Sequence, residues 1–121
     1  MKLTGARQLL KSIADDTRMR ILNLLCRQDL NVAELCEILD INQSTISKHL
    51  SRLRLTGLVG DNRDGQFVFY HLMEPPNKFQ QTIIKMLKEG ENDIEEFISD
   101  IKKLKEIKGR EIDMHTTGRK I

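Results

Sequence analysis

Val32-Ala33-Glu34-Leu35-Cys36-Glu37-Ile38-Leu39, then Asp40-Ile41-Asn42, then Gln43-Ser44-Thr45-Ile46-Ser47-Lys48-His49-Leu50-Ser51-Arg52-Leu53-Arg54 is the stretch that decides the fold. Val32, Leu35, Cys36 and Leu39 recur at helical spacing and predict a short helix with a narrow buried stripe. Ile46, Leu50 and Leu53 do the same for a second helix, while Gln43, Ser44, Thr45, Ser47, Lys48 and His49 lie largely off its apolar face. Asp40 stands where the chain must turn sharply, and Asp tolerates the left-handed conformation better than most residues with a side chain. Asn42 is placed to cap the second helix, its side-chain oxygen accepting from an otherwise unpaired backbone N–H. Two helices joined by a tight turn result.

Upstream, Leu3, Ala6, Leu9, Leu10 and Ile13 predict a first helix. Asp15-Asp16-Thr17 supplies a cap, and Met19, Ile21, Leu22, Leu25 and Cys26 form the apolar side of the next helix, expected to end near Gln28. Downstream of Gly57 the period switches to that of a strand: Leu58-Val59-Gly60, an Asp64-Gly65 turn signal, then Phe67-Val68-Phe69-Tyr70-His71-Leu72. This predicts one β-hairpin, which is marginal alone and must lean on the helices.

Pro75-Pro76 ends the strand and can open a last helix. From Asn77 to about Lys108 the residues Leu87, Gly90, Ile94, Phe97, Ile101 and Leu104 recur at spacings of three and four, a heptad-like seam. A helix of roughly 30 residues would run about 45 Å, longer than the roughly 30–35 Å diameter of a compact chain of this size. The seam is therefore expected to pack against a second copy, with Leu87, Ile94, Phe97, Ile101 and Leu104 as the dimer interface. Gly90 opposes that reading, because glycine costs about 1 kcal/mol inside a helix, and leaves open whether the segment is split. The stretch from Gly109 to Ile121 has no period and is expected to be mobile.

Length and composition bound the function. At 121 residues there is room for one domain. Apolar residues at 39% and charged ones at 31% exclude a membrane span and leave enough for a modest core, so a soluble folded chain is expected. Aromatics at 4% with no Trp supply neither a stacking platform for single strands nor an all-β core. Two cysteines, Cys26 and Cys36, make no disulfide scaffold, and the opening Met1-Lys2-Leu3-Thr4 lacks an apolar signal run, so the cytoplasm is the expected compartment.

A net charge of +2 argues, taken alone, against nucleic acid. It is a sum of two opposed regions. Lys48, Arg52 and Arg54 stand without an acid between Ile41 and Gly60, whereas Glu89, Glu91, Asp93, Glu95, Glu96 and Asp100 stand without a base among them.

Short helix, tight turn, polar helix and hairpin make the layout of a winged helix-turn-helix: mainly α with one β-hairpin and a long C-terminal dimerisation helix. A helix entering the major groove must present hydrogen-bonding side chains near its N-terminus and cations where it crosses phosphates. Gln43, Ser44, Thr45 and Ser47 suit the first role, Lys48, His49, Arg52 and Arg54 the second. Arg63 and Gln66 at the hairpin tip can reach an adjacent backbone or minor groove. Double-stranded DNA is the expected partner. The organisation is a winged unit over 1–75, a dimerisation helix over 76–108 working with the N-terminal helix, and a flexible tail over 109–121.

Four stretches carry a resemblance: Ser12-Ile13-Ala14-Asp15-Asp16-Thr17-Arg18-Met19-Arg20-Ile21-Leu22; Val32-Ala33-Glu34-Leu35-Cys36; Gln43 to Arg54; and Gly57-Leu58-Val59 with Arg63-Asp64-Gly65-Gln66. In this order they resemble the ArsR/SmtB family of transcriptional repressors, over about Lys11 to Leu72. The resemblance implies a homodimeric repressor that binds an inverted-repeat operator and releases it when an inducer binds. It implies that Gln43, Ser44, Thr45, Ser47, Lys48 and His49 read the groove and that Arg63 and Gln66 are wing contacts. Asp16 replaces the family's usual Pro and Asp40 its usual Gly, both compatible with a cap and a turn.

The family's sensing sites are incomplete here. Two cysteines that many members carry at the start of the third helix are replaced by Asn31 and Ala33, leaving Cys36. A carboxylate and His site on the last helix is met by Glu74, Pro75 and Pro76 at its start. Cys26 and Cys36 sit on apolar stripes where small thiols pack. Their alternative role is to sense a soft metal, arsenite or a thiol-reactive inducer. Asp113 with His115, and His71 alone, fall short of the three or four ligands a metal needs. A winged helix serving only protein interaction is the alternative from another class, set against the basic, acid-free second helix. No nucleophile-base pair or phosphate-binding glycine loop suggests an enzyme.

Overall fold

The computed structural model describes residues 1–119, with side chains as far as Arg110. Its elements in chain order are α1 (Leu3–Ile13), α2 (Asp16–Leu25), β1 (Leu30–Asn31), α3 (Val32–Leu39), α4 (Gln43–Leu55), β2 (Val59–Asp64), β3 (Phe67–Leu72), α5 (Lys78–Glu89), a 3-10 turn (Gly90–Asn92) and α6 (Glu95–Arg119).

Side-chain caps set where the helices begin. Asp15 accepts from the Arg18 backbone N–H at 3.0 Å to open α2, and Asn42 accepts from the Thr45 N–H at 3.0 Å to open α4. Asn31 and Glu34 form a reciprocal capping box on α3. Asp40 ends α3 at φ 54° and ψ 48°, the left-handed conformation that the turn into α4 requires. α2 stops at Leu25, three residues short of the expected Gln28.

The sheet is antiparallel with strand order β1-β3-β2. β2 and β3 form the expected hairpin; β1 was not expected, since two residues carry no readable period. Leu30 and Asn31 pair with Tyr70 and Phe69, tying the wing to the start of α3. The turn lies one residue later than the sequence suggests. Asp64 pairs with Phe67, leaving Gly65 and Gln66 as the two-residue loop. Gly65 has φ +64° and Gln66 is not in the positive region, the pattern of a type II′ turn, where glycine takes the first place.

α2 runs through the middle of the core, with Ile21, Leu22 and Leu24 fully enclosed among Leu35 of α3, Ile46, Leu50 and Leu53 of α4, and Leu30 and Leu58. This packing fixes α3 and α4 as a rigid pair on one side of the protomer.

The C-terminal third departs from expectation. No single helix runs from 77 to 108: the chain breaks at Gly90 and Asp93, and α6 returns to pack on α2 and α3. A Cβ on Gly90 would stand 3.2 Å from Ile94 Cδ1 and 3.3 Å from the Phe97 ring, so the break is a site of close approach. The seam expected between two copies is consequently spent inside one. Leu87, Phe97, Ile101 and Leu104 are buried in the protomer, and Ile94 packs half-buried against the core. Once the helix is broken, the length argument for a second copy on that seam no longer applies.

Ion pairs follow the same path. Arg20 holds Asp100, Arg27 holds Glu91 at 3.0 Å, Glu34 holds Lys108 and Glu37 holds Arg110 at 3.2 Å. The acidic run is thus partly neutralised by Arg20 of α2 and Arg27 just beyond it, while α3 supplies acids, Glu34 and Glu37, to the bases of α6. α6 runs on through the backbone of 109–119. The mobility expected there, and the Asp113 and His115 side chains, lie outside the described residues. Among the described residues no helix is long and apolar enough to cross a membrane.

Candidate nucleic-acid interface

α4 divides into an inner apolar stripe and an outer polar face. Ile46, Leu50 and Leu53 are fully buried, while Gln43, Ser44, Lys48 and Arg52 are exposed and Thr45, Ser47 and His49 are half-buried. At the N-terminus, Asn42 Oδ1 also accepts from the Ser44 hydroxyl at 2.9 Å, so the first turn is ordered by its own side chains. Gln43 and Ser47, like Ser44 and Lys48, are four residues apart and share ridges of the exposed face. This side presents uncharged donors and acceptors near the helix start and cations farther along.

Arg63 and Gln66 stand exposed at the hairpin tip, as expected of a wing. Arg54 approaches Asp61 of β2 at 3.6 Å and fastens the end of α4 to that wing. It is an exposed pair, of the kind worth less than about 1 kcal/mol.

His49 is held differently from the other expected groove readers. Its ring turns back toward α2, with Nδ1 3.1 Å from Arg18 Nη1 and 3.7 Å from Asp15 Oδ2. Burial would raise the Asp15 carboxyl, but the Arg18 backbone N–H and the Arg18 charge outweigh it and hold it below its ordinary value. Near the C-terminal end of α4, the Thr56 and Ser12 hydroxyls meet at 3.1 Å. Asp15 was legible as a cap. The contacts of Arg18 with His49 and of Ser12 with Thr56 were not legible in the sequence, because the partners lie on other elements.

The two thiols sit apart from this face. Burial pushes the Cys26 thiol up to about 11, with Lys88 opposing and Glu91 adding; burial also raises Cys36, which lines a cleft with Val32, Ala33, Glu37 and Gln43. Among the described residues no three His, Cys, Asp or Glu side chains gather as a metal site. His71 lies opposite Gly60 in the sheet, with Nδ1 3.1 Å from the Leu72 carbonyl.

A second surface is apolar. Leu3 and Leu10, seven apart on α1, and Phe79 and Met86, seven apart on α5, are large exposed hydrophobic residues. Asn77 Nδ2 lies 4.0 Å from Met1 Sδ, so α1 and α5 begin side by side.

The family described as "Bacterial regulatory protein, arsR family" matches residues 15–60, from the α2 cap to the first residues of the wing. The Arsenic resistance transcriptional regulator ArsR1 of Pseudomonas putida is 46% identical over 63 residues, 51% of this chain and 49% of that protein. The chain therefore spans about half the length of that relative. The Transcriptional repressor SdpR of Bacillus subtilis is 33% identical over 87 residues, covering 69% of this chain and 94% of SdpR. Among solved structures, reduced HlyU from Vibrio cholerae superposes with a TM-score of 0.63 at 36% identity, over 71% of this chain and 87% of HlyU. With the helix pair, the wing and near-full coverage of SdpR in agreement, the chain belongs to the arsR family of bacterial regulatory proteins.

Proposed function

We propose that this chain is a transcriptional repressor that binds double-stranded DNA as a homodimer on an inverted repeat and leaves it when an inducer binds. The outer face of α4 carries the reading, being acid-free, polar at its N-terminal end and basic beyond. Gln43, Ser44, Thr45 and Ser47 contact base edges, Lys48 and Arg52 the phosphates, and Arg63 and Gln66 the flanking duplex. Family membership supports the same function. The exposed stripes of α1 and α5 form the dimer contact, in place of the seam now buried in the protomer. A two-fold dimer sets two copies of α4 on successive half-sites. DNA as partner places the protein in the cytoplasm.

Anisotropy titration at moderate salt, against the duplex upstream of its own gene and a scrambled duplex, tests this reading. The dimer is expected to prefer the upstream duplex, and equal affinity for both would sink it. Lys48→Ala is expected to weaken every duplex and lower the salt slope by about one, whereas Gln43→Ala changes base preference. Identical effects of the two across all sequences would contradict the role assignment.

A further inference from the structure

Burial of Ile46, Leu50 and Leu53 sets which face of α4 turns to the core, but apolar attraction has no direction of its own, so the fine angle at which the polar face is presented is left to directional contacts. Directional contacts come from the α1–α2 junction. Arg18 gathers them: Nε donates to the Ser12 carbonyl, Nη2 to the Lys11 carbonyl at 3.5 Å and Nη1 to His49 Nδ1 at 3.1 Å. Its backbone N–H is held by Asp15. The fully buried Ser12 then meets Thr56, which also donates toward the Arg52 and Leu53 carbonyls. The junction therefore grips α4 at His49 and again two turns later, and each grip reaches back to the end of α1.

A guanidinium only donates. His49 Nδ1 must be the acceptor, which puts the ring hydrogen on Nε2. With its side chain 15% exposed and committed to three partners, Arg18 is spent inward and does not reach a phosphate without breaking them.

We infer that Arg18 is a positioning residue for DNA recognition. It sets the tautomer of His49 and the roll of α4, so that Gln43, Ser44 and Lys48 face the groove, and it links that roll to α1, the helix that exposes Leu3 and Leu10. The inference rests on the DNA-reading function proposed above and changes the part of His49 from groove reader to anchor.

The test uses the full chain and a duplex enriched by the wild-type protein from a random pool, with a scrambled duplex as reference. Affinities are measured over a salt series, alongside thermal unfolding, for Arg18→Met, His49→Ala and His49→Asn. Asn keeps an acceptor close to the place of Nδ1. Arg18→Met and His49→Ala are expected to cut the preference for the enriched duplex about tenfold, with the scrambled affinity and the salt slope unchanged, while His49→Asn keeps most of the preference. A slope lowered by about one in Arg18→Met would make Arg18 a phosphate contact and overturn the inference. So would an intact preference in a folded Arg18→Met protein, or its loss in His49→Asn, which would make His49 a reader. Nitrogen-15 NMR of the His49 ring decides the anchoring without DNA: Nε2 should carry the hydrogen in the wild type, and the tautomers should mix in Arg18→Met. A hydrogen on Nδ1 in the wild type overturns the inference; failure of the pool to enrich any duplex would instead remove the DNA-reading function.

Discussion

Arg20 on α2 and Asp100 on α6, 80 residues apart in the chain, are joined by two parallel hydrogen bonds, Nε to Oδ2 at 2.9 Å and Nη2 to Oδ1 at 2.7 Å. The carboxylate side chain is 2% exposed and the guanidinium 26%. The Asp100 hydrogen bond raises the Arg20 pKa against the opposing effect of burial. This fork clamps the returning helix to the centre of the core.

Removing the two partners should have unequal effects. Arg20→Ala leaves a carboxylate buried without compensation, at a cost of about 3–5 kcal/mol. Asp100→Ala leaves an arginine that still reaches water, so its loss should be smaller. Urea unfolding of both variants checks the order, and an Arg20→Ala protein no less stable than Asp100→Ala would show that the Asp100 carboxylate reaches water in solution.

Acid should loosen the α2 cap. The folded Asp15 carboxyl lies below its ordinary value of 3.8, so the ionised form is the one folding favours. Its stabilisation is fully present above that value and is lost as pH falls through the lower folded value. Asp15→Asn keeps a competent cap but removes the titration. Thermal unfolding followed from pH 5 to pH 2 should fall more steeply in the wild type than in Asp15→Asn, and parallel curves would exclude the linkage.

Charge on the α5 stripe should separate the proposed dimer. Phe79→Glu and Met86→Glu each act twice in a two-fold interface, and a buried apolar side chain of this size contributes about 1.5–3 kcal/mol. Self-association is expected to weaken by roughly a hundredfold or more, with the monomer fold retained because both side chains are exposed in the protomer. Sedimentation velocity and circular dichroism measure the two effects. An unaltered dimer would place the interface elsewhere.

Thiol labelling should be slow at neutral pH. Burial pushes Cys26 up to about 11 and raises Cys36, and the thiolate is the reactive species. Iodoacetamide at pH 7.5 is expected to modify the folded protein much more slowly than the urea-unfolded chain, with mass spectrometry locating the sites. Equal rates in the two states would show a thiol activated by something these contacts do not include.

Much of the candidate interface was legible because it is written at short range. Asp15 and Asn42 satisfy backbone groups three residues ahead, Asp40 adopts the left-handed turn, and Ile46, Leu50 and Leu53 repeat with the helical period. One helix face then leaves the polar residues of α4 outward with no tertiary information required. His49 shows the limit of that reasoning, since periodicity places it beside Lys48 but says nothing of Arg18 waiting on α2.

The sequence by itself determined the helix pair, the hairpin and the basic face of α4, since these depend on caps, turns and spacings of three or four residues. Tertiary structure alone decided where the last third of the chain spends its apolar residues. Leu87, Phe97, Ile101 and Leu104 have the same spacing whether they face a second copy or their own core. Periodicity records that a face is apolar and not what covers it. The close approach at Gly90 and the buried Arg20–Asp100 fork made the cover internal, while Leu3 and Leu10 on α1 and Phe79 and Met86 on α5 stay exposed in the protomer.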